Sequence, residues 1–303
     1  MKHLLPCSLL AAALLLSLGT AAQTTEADPP AASPAPAWTT GGSTGLNFSQ
    51  VKLSNWAGGG ESSISIASLL KLEANYKKGP SLWENRANIA YGLIRQGDRE
   101  QSRFRKTDDI LELRSQYNRS IKDTTLYMTL LADFRTQMGP GYEYGEAAGE
   151  TTRSKISEFM APGFLLTSLG ATYKIPERFT LTVSPVTGKF TFVQDPVLSA
   201  AGAFGVEAGE RMRSEFGASL VSNYKRELLT NVDFNTSLLL FANYETLSRV
   251  DVNWEATLMM KVNRYINTTI ATQLIYDHDV LQKTQFRNVI NVGFLFQWPG
   301  DRG

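Results

Sequence analysis

The chain has 303 residues, of which 30 are Lys or Arg and 29 are Asp or Glu, so its formal charge is +1. This near-neutral balance excludes a strongly basic nucleic-acid-binding protein and a protein with an acidic tail. After the N-terminus there is no run of about 18 apolar residues, which excludes a transmembrane helix there. A membrane β-barrel is not excluded, because its strands need only about 9–11 residues with apolar side chains at alternate positions.

Residues 1–22 have the features of a cleaved secretory signal peptide. Lys2 and His3 supply a short basic start, residues 9–18 form the apolar core, and residues 20–22 are small, as a cleavage site requires. The sequence therefore predicts export from the cytoplasm, with cleavage after Ala22.

The single cysteine, Cys7, lies inside this signal peptide. The apolar run follows Cys7 instead of preceding it, which argues against lipid attachment at this residue. The mature chain would then contain no cysteine, which excludes disulfides, thiolate catalysis and thiolate metal sites. Residues 23–37 are rich in Pro, Ala and Thr without periodicity, and we expect a disordered periplasmic leader.

From Trp38 onward, segments in which apolar and polar residues alternate recur between turn residues, which is the pattern of β-strands. We predict an all-β, antiparallel transmembrane barrel of about twelve strands over residues 38–298, followed by a short tail, 299–303. In chain order, the predicted strands lie within 38–50, 64–77, 83–93, 111–117, 126–137, 165–173, 179–184, 216–224, 232–244, 250–262, 266–276 and 285–298.

The last segment, Gln285 to Trp298, carries the strongest signal. One face of this segment carries the apolar residues Phe286, Ile290, Val292, Phe294, Phe296 and Trp298. The other face carries Arg287, Asn291, Gly293 and Gln297. Apolar residues on one face that end in aromatics are typical of a lipid-facing strand with an interfacial girdle. We assign the girdle to Trp254, Phe294, Phe296 and Trp298. A terminal aromatic strand is also what the barrel-assembly machinery recognises, so we expect that machinery and outer-membrane lipid as partners.

The connections alternate in length, as in barrels with short periplasmic turns and longer outer loops. The links near 79, 120, 176, 228 and 265 are short, and most of the others are long. An even strand number places both termini in the periplasm. Residues 138–157 are expected to form a long loop. Residues 185–211 are more apolar than a solvated loop, and we expect them to fold back on the barrel mouth or into the lumen.

A soluble β-sandwich would also show alternation and is the competing interpretation. It would leave long strands with exposed Trp254, Phe296 and Trp298 at sheet edges, which favours aggregation. We therefore prefer the barrel, and an outer-membrane location.

Charged residues of both signs lie on the polar parity and are predicted to line the lumen. One interpretation is a pore lining that selects solutes; the other is a lattice of ion pairs that fills a narrow lumen. Twelve strands do not decide between them, although the mixed signs favour the narrow lumen. The predicted lumen residues are Lys71, Glu73, Glu84, Arg86, Glu112, Arg114, Asp133, Arg135, Asp251, Glu255 and Lys261.

The segment from Tyr276 to Asp279 contains the only cluster that resembles a catalytic site. His278 is flanked by Asp277 and Asp279, and a carboxylate could orient its imidazole. Adjacent strand residues point to opposite faces, however, so both carboxylates cannot reach the ring. A weak Ca²⁺ site is a further alternative. We expect a solvated strand end, no enzyme, no metal and no cofactor; Thr187-Gly188-Lys189 lacks the context of a phosphate loop.

Several short motifs, in this order, are similar to those of an uncharacterised Gram-negative family of Bacteroidota type, defined only as a domain of unknown function and treated as outer-membrane barrels. The resemblance spans about residues 38–298, and it implies a barrel without supplying a substrate or a catalytic residue. The motifs are Asn55-Trp56-Ala57-Gly58-Gly59, Lys106-Thr107-Asp108-Asp109, Thr136-Gln137, Ala161-Pro162, Ser184-Pro185, Thr187-Gly188-Lys189, Gly202-Ala203-Phe204-Gly205 and Ile275-Tyr276-Asp277.

Three functional hypotheses follow. The first is an outer-membrane barrel of structural or small-solute channel type, without a catalytic centre. The second is a transport or envelope-assembly component that contacts partner proteins through loop 185–211. The third is a hydrolase at the barrel rim that uses His278. The sequence leaves the solute and the oligomeric state open.

Overall fold

The computed structural model describes residues 37–52, 61–97, 103–122, 125–147 and 150–298. The predictions for the signal peptide, Cys7, the leader up to residue 36, the motif at 55–59 and the tail 299–303 fall outside these ranges. Within them, no helix has the length and apolar character needed to cross a membrane.

The described chain is a closed antiparallel barrel of twelve strands, as predicted. Around the barrel the order is β1-β14-β13-β12-β11-β10-β9-β8-β5-β4-β3-β2, and β6 and β7 form a separate two-stranded hairpin. The strands are β1 (Trp38–Val51), β2 (Ser63–Lys78), β3 (Ser81–Gln96), β4 (Arg105–Lys122), β5 (Leu126–Thr136), β6 (Gly141–Ala147), β7 (Glu150–Ser157), β8 (Gly163–Ile175), β9 (Phe179–Phe192), β10 (Met212–Leu229), β11 (Val232–Asn243), β12 (Val250–Lys261), β13 (Ile266–Asp277) and β14 (Leu281–Trp298).

The outer face of the barrel is apolar because each strand alternates. On β5, Met128 and Leu130 are exposed at 57% and 56%, whereas Thr129 and Leu131 between and beside them are buried at 1% and 2%. A closed sheet has no free edge strand, and an apolar outer face is compatible with the hydrocarbon core of a membrane. The protein is thus an outer-membrane β-barrel.

Aromatic side chains gather at the end of the barrel where β1 begins and β14 ends. The ring of Trp38 lies 5.2 Å from that of Tyr76 and 5.7 Å from that of Trp83, and Tyr265 lies 5.7 Å from Phe296. Amphipathic rings at this level are typical of a membrane–water interface. We call this the terminal end, and the opposite one the distal end.

The connections differ in length between the two ends, as the sequence predicts. At the terminal end β2 turns into β3 within residues 79–80, and β10 turns into β11 within 230–231. At the distal end, by contrast, the connection between β5 and β8 contains β6 and β7, and the connection between β9 and β10 spans residues 193–211.

The predicted loop 138–157 is wrong, since most of it is the hairpin β6–β7. Tyr142 pairs with Lys155 in this hairpin, and the guanidinium of Arg153 lies 4.7 Å from the Tyr142 ring centre. The base of the hairpin is fixed by the buried carboxylate of Asp109, which accepts hydrogen bonds from the backbone N–H groups of Met138 (2.7 Å) and Gly139 (3.0 Å). The hairpin is therefore anchored to the barrel wall.

The prediction that a strand ends at residue 184 and a loop begins at Pro185 is also wrong, because β9 continues to Phe192. The registers of β9 with β8 and with β10 both shift beside Pro185, so neither neighbour pairs with it. A proline has no N–H to donate, and a bulge is where a strand accommodates it. Pro185 and Val186 both lie exposed, and the inward parity changes from Ser184 to Thr187.

Residues 193–211, which we call the strap, follow β9 at the distal end. They contain the helix α1 (Pro196–Ala200) and a single 3-10 turn. Val193, Leu198 and Val206 form a buried apolar cluster with Ala161, which precedes β8. The strap thus has a small core of its own.

The strap is held at two further points. Asp195 accepts hydrogen bonds from the N–H groups of Val197 and Leu198 at the start of α1, and its other oxygen lies 2.6 Å from Lys155 of the hairpin. The Arg213 guanidinium donates to the Gly205 carbonyl (3.2 Å) and lies 3.3 Å from Asp279, in the turn after β13. The strap therefore reaches from the hairpin to a turn three strands beyond β10.

Candidate functional site: the charged lumen

Inward-facing charged residues meet across the bore. Arg135 of β5 lies 3.2 Å from Glu255 of β12, and four strands separate β5 from β12 around the shorter side of the ring. Arg135 also lies 3.0 Å from Glu112 of β4. This trio, which we call the central bridge, crosses the lumen because strands so far apart in the wall can meet only inside it.

Neighbouring side chains hold the central bridge in place. Asn88 donates to Glu112 (2.8 Å), and Gln273 donates to Glu255 (2.8 Å). Arg114 pairs with Asp133 at 2.5 Å beside them. These groups, apart from Gln273, line a cavity of about 250 Å³. The space at this level suits water or a small solute.

A second charged cluster lies nearer the distal end, around Lys189 of β9. Its ammonium lies 2.6 Å from Asp251, 2.7 Å from Asp277 and 3.5 Å from Glu215. The four side chains are 5–14% exposed. Arg213 lies 2.6 Å from Glu215 and supplies a second cation. We call this group the lysine cluster; it joins four strands, β9, β10, β12 and β13.

Two further ion pairs cross the lumen. Lys174 of β8 lies 2.5 Å from Glu84 of β3, with two strands between them. Arg287 of β14 lies 2.6 Å from Asp108 of β4, with three strands between them. Side chains thus span the lumen at several levels.

The lumen is filled unevenly. On the side of β5, β8, β10 and β11, Leu131, Leu166 and Val221 form a buried apolar cluster against Leu239. On the opposite side, the Glu73–Arg86 pair of β2 and β3 keeps about half of its exposure, at 46% and 51%. The Glu73–Arg86 pair therefore borders accessible space on the β2–β3 side of the lumen.

Part of the chain matches a known protein family. A family model described as "Protein of unknown function (DUF3078)" matches residues 48–142. This match confirms the predicted resemblance to a family of unknown function over that part of the chain. No curated protein matches the sequence.

Solved barrels resemble the fold at low identity. An outer-membrane channel from Pseudomonas putida F1 has a TM-score of 0.41 at 11% identity, covering 90% of this chain and 100% of that one. The translocator domain of the autotransporter NalP from Neisseria meningitidis has a TM-score of 0.37 at 11% identity, covering 86% and 88%. The β domain of a Bordetella autotransporter has a TM-score of 0.30 at 10% identity, covering 86% and 97%.

The predicted lumen residues fall into distinct groups. Glu112, Arg135 and Glu255 form the central bridge, Arg114 and Asp133 pair beside it, and Asp251 belongs to the lysine cluster. Glu73 pairs with Arg86 in the wall, and Glu84 pairs with Lys174 across the lumen. Lys261 lies 3.0 Å from Asp233 near the terminal end, and Lys71 makes no salt bridge within the described part of the chain. Their role in selecting solutes stays a prediction.

Sequence reasoning missed the residue that organises the distal lumen. The sequence pattern places Lys189 in a loop or strand edge, because Pro185 is predicted to end the strand. Thr187, Lys189 and Thr191 are buried, at 0–8% exposure, so their alternation continues after the bulge. This alternation is the signal that could have identified Lys189 as a lumen residue.

The segment from Tyr276 to Asp279 is not the solvated strand end that we expect from the sequence, because Asp277 is buried, at 8% exposure. Asp277 is bound to Lys189 and also accepts hydrogen bonds from the N–H groups of Asp279 and Val280. His278 Nδ1 lies 3.6 Å from the Asp279 carboxylate, in the turn between β13 and β14. Asp277 therefore serves the lumen wall and the turn.

Of the predicted girdle aromatics, Phe294, Phe296 and Trp298 lie on the outer parity of β14, at 54%, 48% and 42% exposure. Trp254 lies within β12, and its indole N–H donates to Thr236 Oγ1 at 3.0 Å. A satisfied N–H suits an indole that faces lipid. Membership of the girdle stays a prediction for all four.

Proposed function

We propose that the barrel is a narrow outer-membrane channel for small polar solutes. The observation that supports this proposal is the Arg135–Glu255 pair, which crosses the bore of a polar lumen without filling it. Solutes pass beside the central bridge, on the β2–β3 side where Glu73 and Arg86 remain half exposed. Because both signs of charge line this route, it discriminates only weakly between cations and anions, and it selects solutes mainly by their size.

The test is the single-channel conductance of the refolded protein in a planar bilayer, with a variant lacking residues 193–211 alongside. We expect small, steady, ohmic steps with weak ion preference, and larger steps if the strap narrows the mouth. Silence from a protein whose insertion is established by its heat-dependent gel migration would contradict the proposal and leave a structural barrel.

A second candidate is a transport or envelope-assembly component that binds a partner protein at the distal end. Residues 185–192 belong to β9, so the contact surface narrows to the strap and the adjoining hairpin. Val197 on the strap is 65% exposed, and Phe159, between the hairpin and β8, is 52% exposed, which favours a protein contact. A photo-crosslinker at Val197 in cells should then give one discrete adduct, whereas Glu207 on the same strap serves as the matched control position.

We further propose that His278 has no catalytic role and that β14, which ends in Phe296 and Trp298, is the strand that the assembly machinery engages. The engagement of Asp277 by Lys189 supports the first statement. The outward parity of the two aromatics supports the second.

A further inference from the structure

Among the described residues, the joint between β1 and β14 is the shortest in the barrel wall. It runs from Gly42↔Trp298 to Asn47↔Gly293, which is six residue pairs, whereas the other eleven joints have ten to sixteen. The same register would pair residues 48–51 with 289–292. Both strands continue through these positions, β1 paired with β2 and β14 paired with β13. In the described chain, then, the two strands part beyond Asn47.

The exposure of the outward side chains follows this separation. Along β14 it rises steadily from the paired end toward the parted end, which is what loss of a lateral neighbour produces. The values are Trp298 42%, Phe296 48%, Phe294 54%, Val292 62%, Ile290 67% and Phe286 68%. On β1, Phe48 is likewise more exposed than Leu46, at 58% against 47%.

The short joint has a reason in its residues. Gly45 and Gly293 contribute no side chains to pack across it, and the Asn47 side chain occupies the space where a Cβ at Gly293 would lie. Unpaired N–H and C=O groups facing hydrocarbon cost several kcal/mol each, so a parted joint must be reached by water or by another polar group. The inward-facing side chains of the parted stretch, which include the amide of Asn291, can supply such a polar group.

The parted stretch itself, residues 48–51 and 289–292, carries no charged residue, and the nearest one along β14 is Arg287. Arg287 is the only charged residue within residues 285–292 of β14, and residues 42–51 of β1 contain none. Its guanidinium pairs with Asp108 of β4, and this bond passes inside β1, β2 and β3, starting two residues distal to the parted stretch along β14. Arg287 keeps 40% exposure of its side chain. A cation thus lies next to a slit whose outer rim, with Phe48 and Ile290, is apolar.

We propose that this slit is a lateral gate through which an anionic lipid of the surrounding membrane enters the lumen. The head group would exchange with Asp108 for the Arg287 guanidinium, as a charge-assisted pair with phosphate allows. The acyl chains would stay outside, between Phe48, Ile290 and Val292. The gate opens through the wall between β1 and β14, whereas the proposed channel runs along the lumen from end to end, so either can fail alone.

The test is photo-crosslinking from Asn291 in vesicles that contain anionic and zwitterionic phospholipids, each traceably labelled. Asn223, an inward asparagine of β10 between two fully paired joints, is the matched control position. We expect several-fold more lipid adduct at Asn291 than at Asn223, with the anionic lipid preferred. Arg287→Gln should remove that preference. Equal adducts at both positions would overturn the proposal, because lipid would then enter through the mouth.

A disulfide provides the second arm. The only native cysteine lies at position 7, so a disulfide within the barrel can form only between introduced cysteines. Gln50→Cys with Ile290→Cys would close the parted stretch, and Leu46→Cys with Phe294→Cys, within the paired stretch, is the control. Oxidation of the first pair should lower the Asn291 adduct by about tenfold, and the control should leave it unchanged. Persistence after closure, or a protein adduct in cells in place of lipid, would contradict the gate.

Discussion

Arg135 Nη2 lies 3.0 Å from Glu112 Oε1 of the neighbouring strand and 3.2 Å from Glu255 Oε1 across the barrel. One guanidinium is therefore shared between the near wall and the far wall. Loss of the far carboxylate leaves Arg135 still paired with Glu112, so the bore can widen without an unpaired buried charge.

Glu255→Gln is accordingly expected to raise single-channel conductance, by about twofold, with little loss of stability. The control is Glu73→Gln, which removes the same charge from a pair confined to the adjacent strands β2 and β3. Conductance that rises equally in both variants would mean that lumen charge, and not the central bridge, sets the size of the steps.

Lys189→Met should destabilise the barrel strongly. The change leaves Asp251, Asp277 and Glu215 near one another with their main cation gone, and loss of one partner from a buried ion pair costs about 3–5 kcal/mol. Lys261→Met is the matched control, because Lys261 and Asp233 are more exposed, at 38% and 22%, and such a pair contributes about 1 kcal/mol or less. Thermal unfolding followed by circular dichroism should separate the two; similar midpoints would refute the central role of the cluster.

Attachment of the strap should depend on pH at the acid end. The Lys155 ammonium and the Leu198 N–H hold the pKa of Asp195 down to about 2, from an ordinary value of 3.8. A depressed carboxyl pKa contributes stability that is present above the ordinary value and is lost as pH falls through the lowered one. Hydrogen exchange of the strap, corrected for intrinsic rates, should therefore accelerate between about pH 4 and about pH 2.

Asp195→Asn should reproduce this loosening at neutral pH, because Asn still caps α1 but carries no charge. At the same pH, Glu158→Gln should have little effect, since Glu158 is the more exposed partner of Lys155, at 39% against 7%. A strap that exchanges equally slowly in all three proteins would show that the apolar cluster alone holds it.

Gly293→Ala should weaken the joint between β1 and β14. A Cβ there would lie 2.8 Å from the Leu46 carbonyl oxygen and would collide with the Asn47 side chain, and such overpacking costs about 1–3 kcal/mol. Gly45→Ala is the control, since the nearest atom to its Cβ would be 3.5 Å away. A lower unfolding midpoint for the first variant only is the expected result.

His278→Ala should change neither folding, conductance nor hydrolysis of lipid or peptide substrates. Asp277, one of the two carboxylates that flank His278 in the sequence, is bound to Lys189. A hydrolytic activity of the wild-type protein that disappears in His278→Ala would overturn this expectation and support the rim hydrolase.

The period-two alternation predicted the barrel and most of its strands, because lipid outside and a polar lumen inside impose opposite demands on adjacent residues. It failed where an extra residue shifts the period, at Pro185, and where the strands leave the wall, in the hairpin 141–157. It also assigned Arg135 and Glu255 to the lumen without predicting that they meet. That contact depends on which distant strands face each other, which is a property of the closed ring and not of either strand.

The six-pair joint between β1 and β14 also bears on how the barrel is made and unmade. When the barrel is strained, the joint with the fewest backbone pairs should open first. Here that joint lies between β1 and β14, the first and last of the described strands. Unfolding should therefore begin as an unrolling of the cylinder into a curved ribbon, with the remaining ladders intact. Assembly in the opposite sense would complete this joint last, so a late, nearly closed intermediate should accumulate when the joint is further weakened.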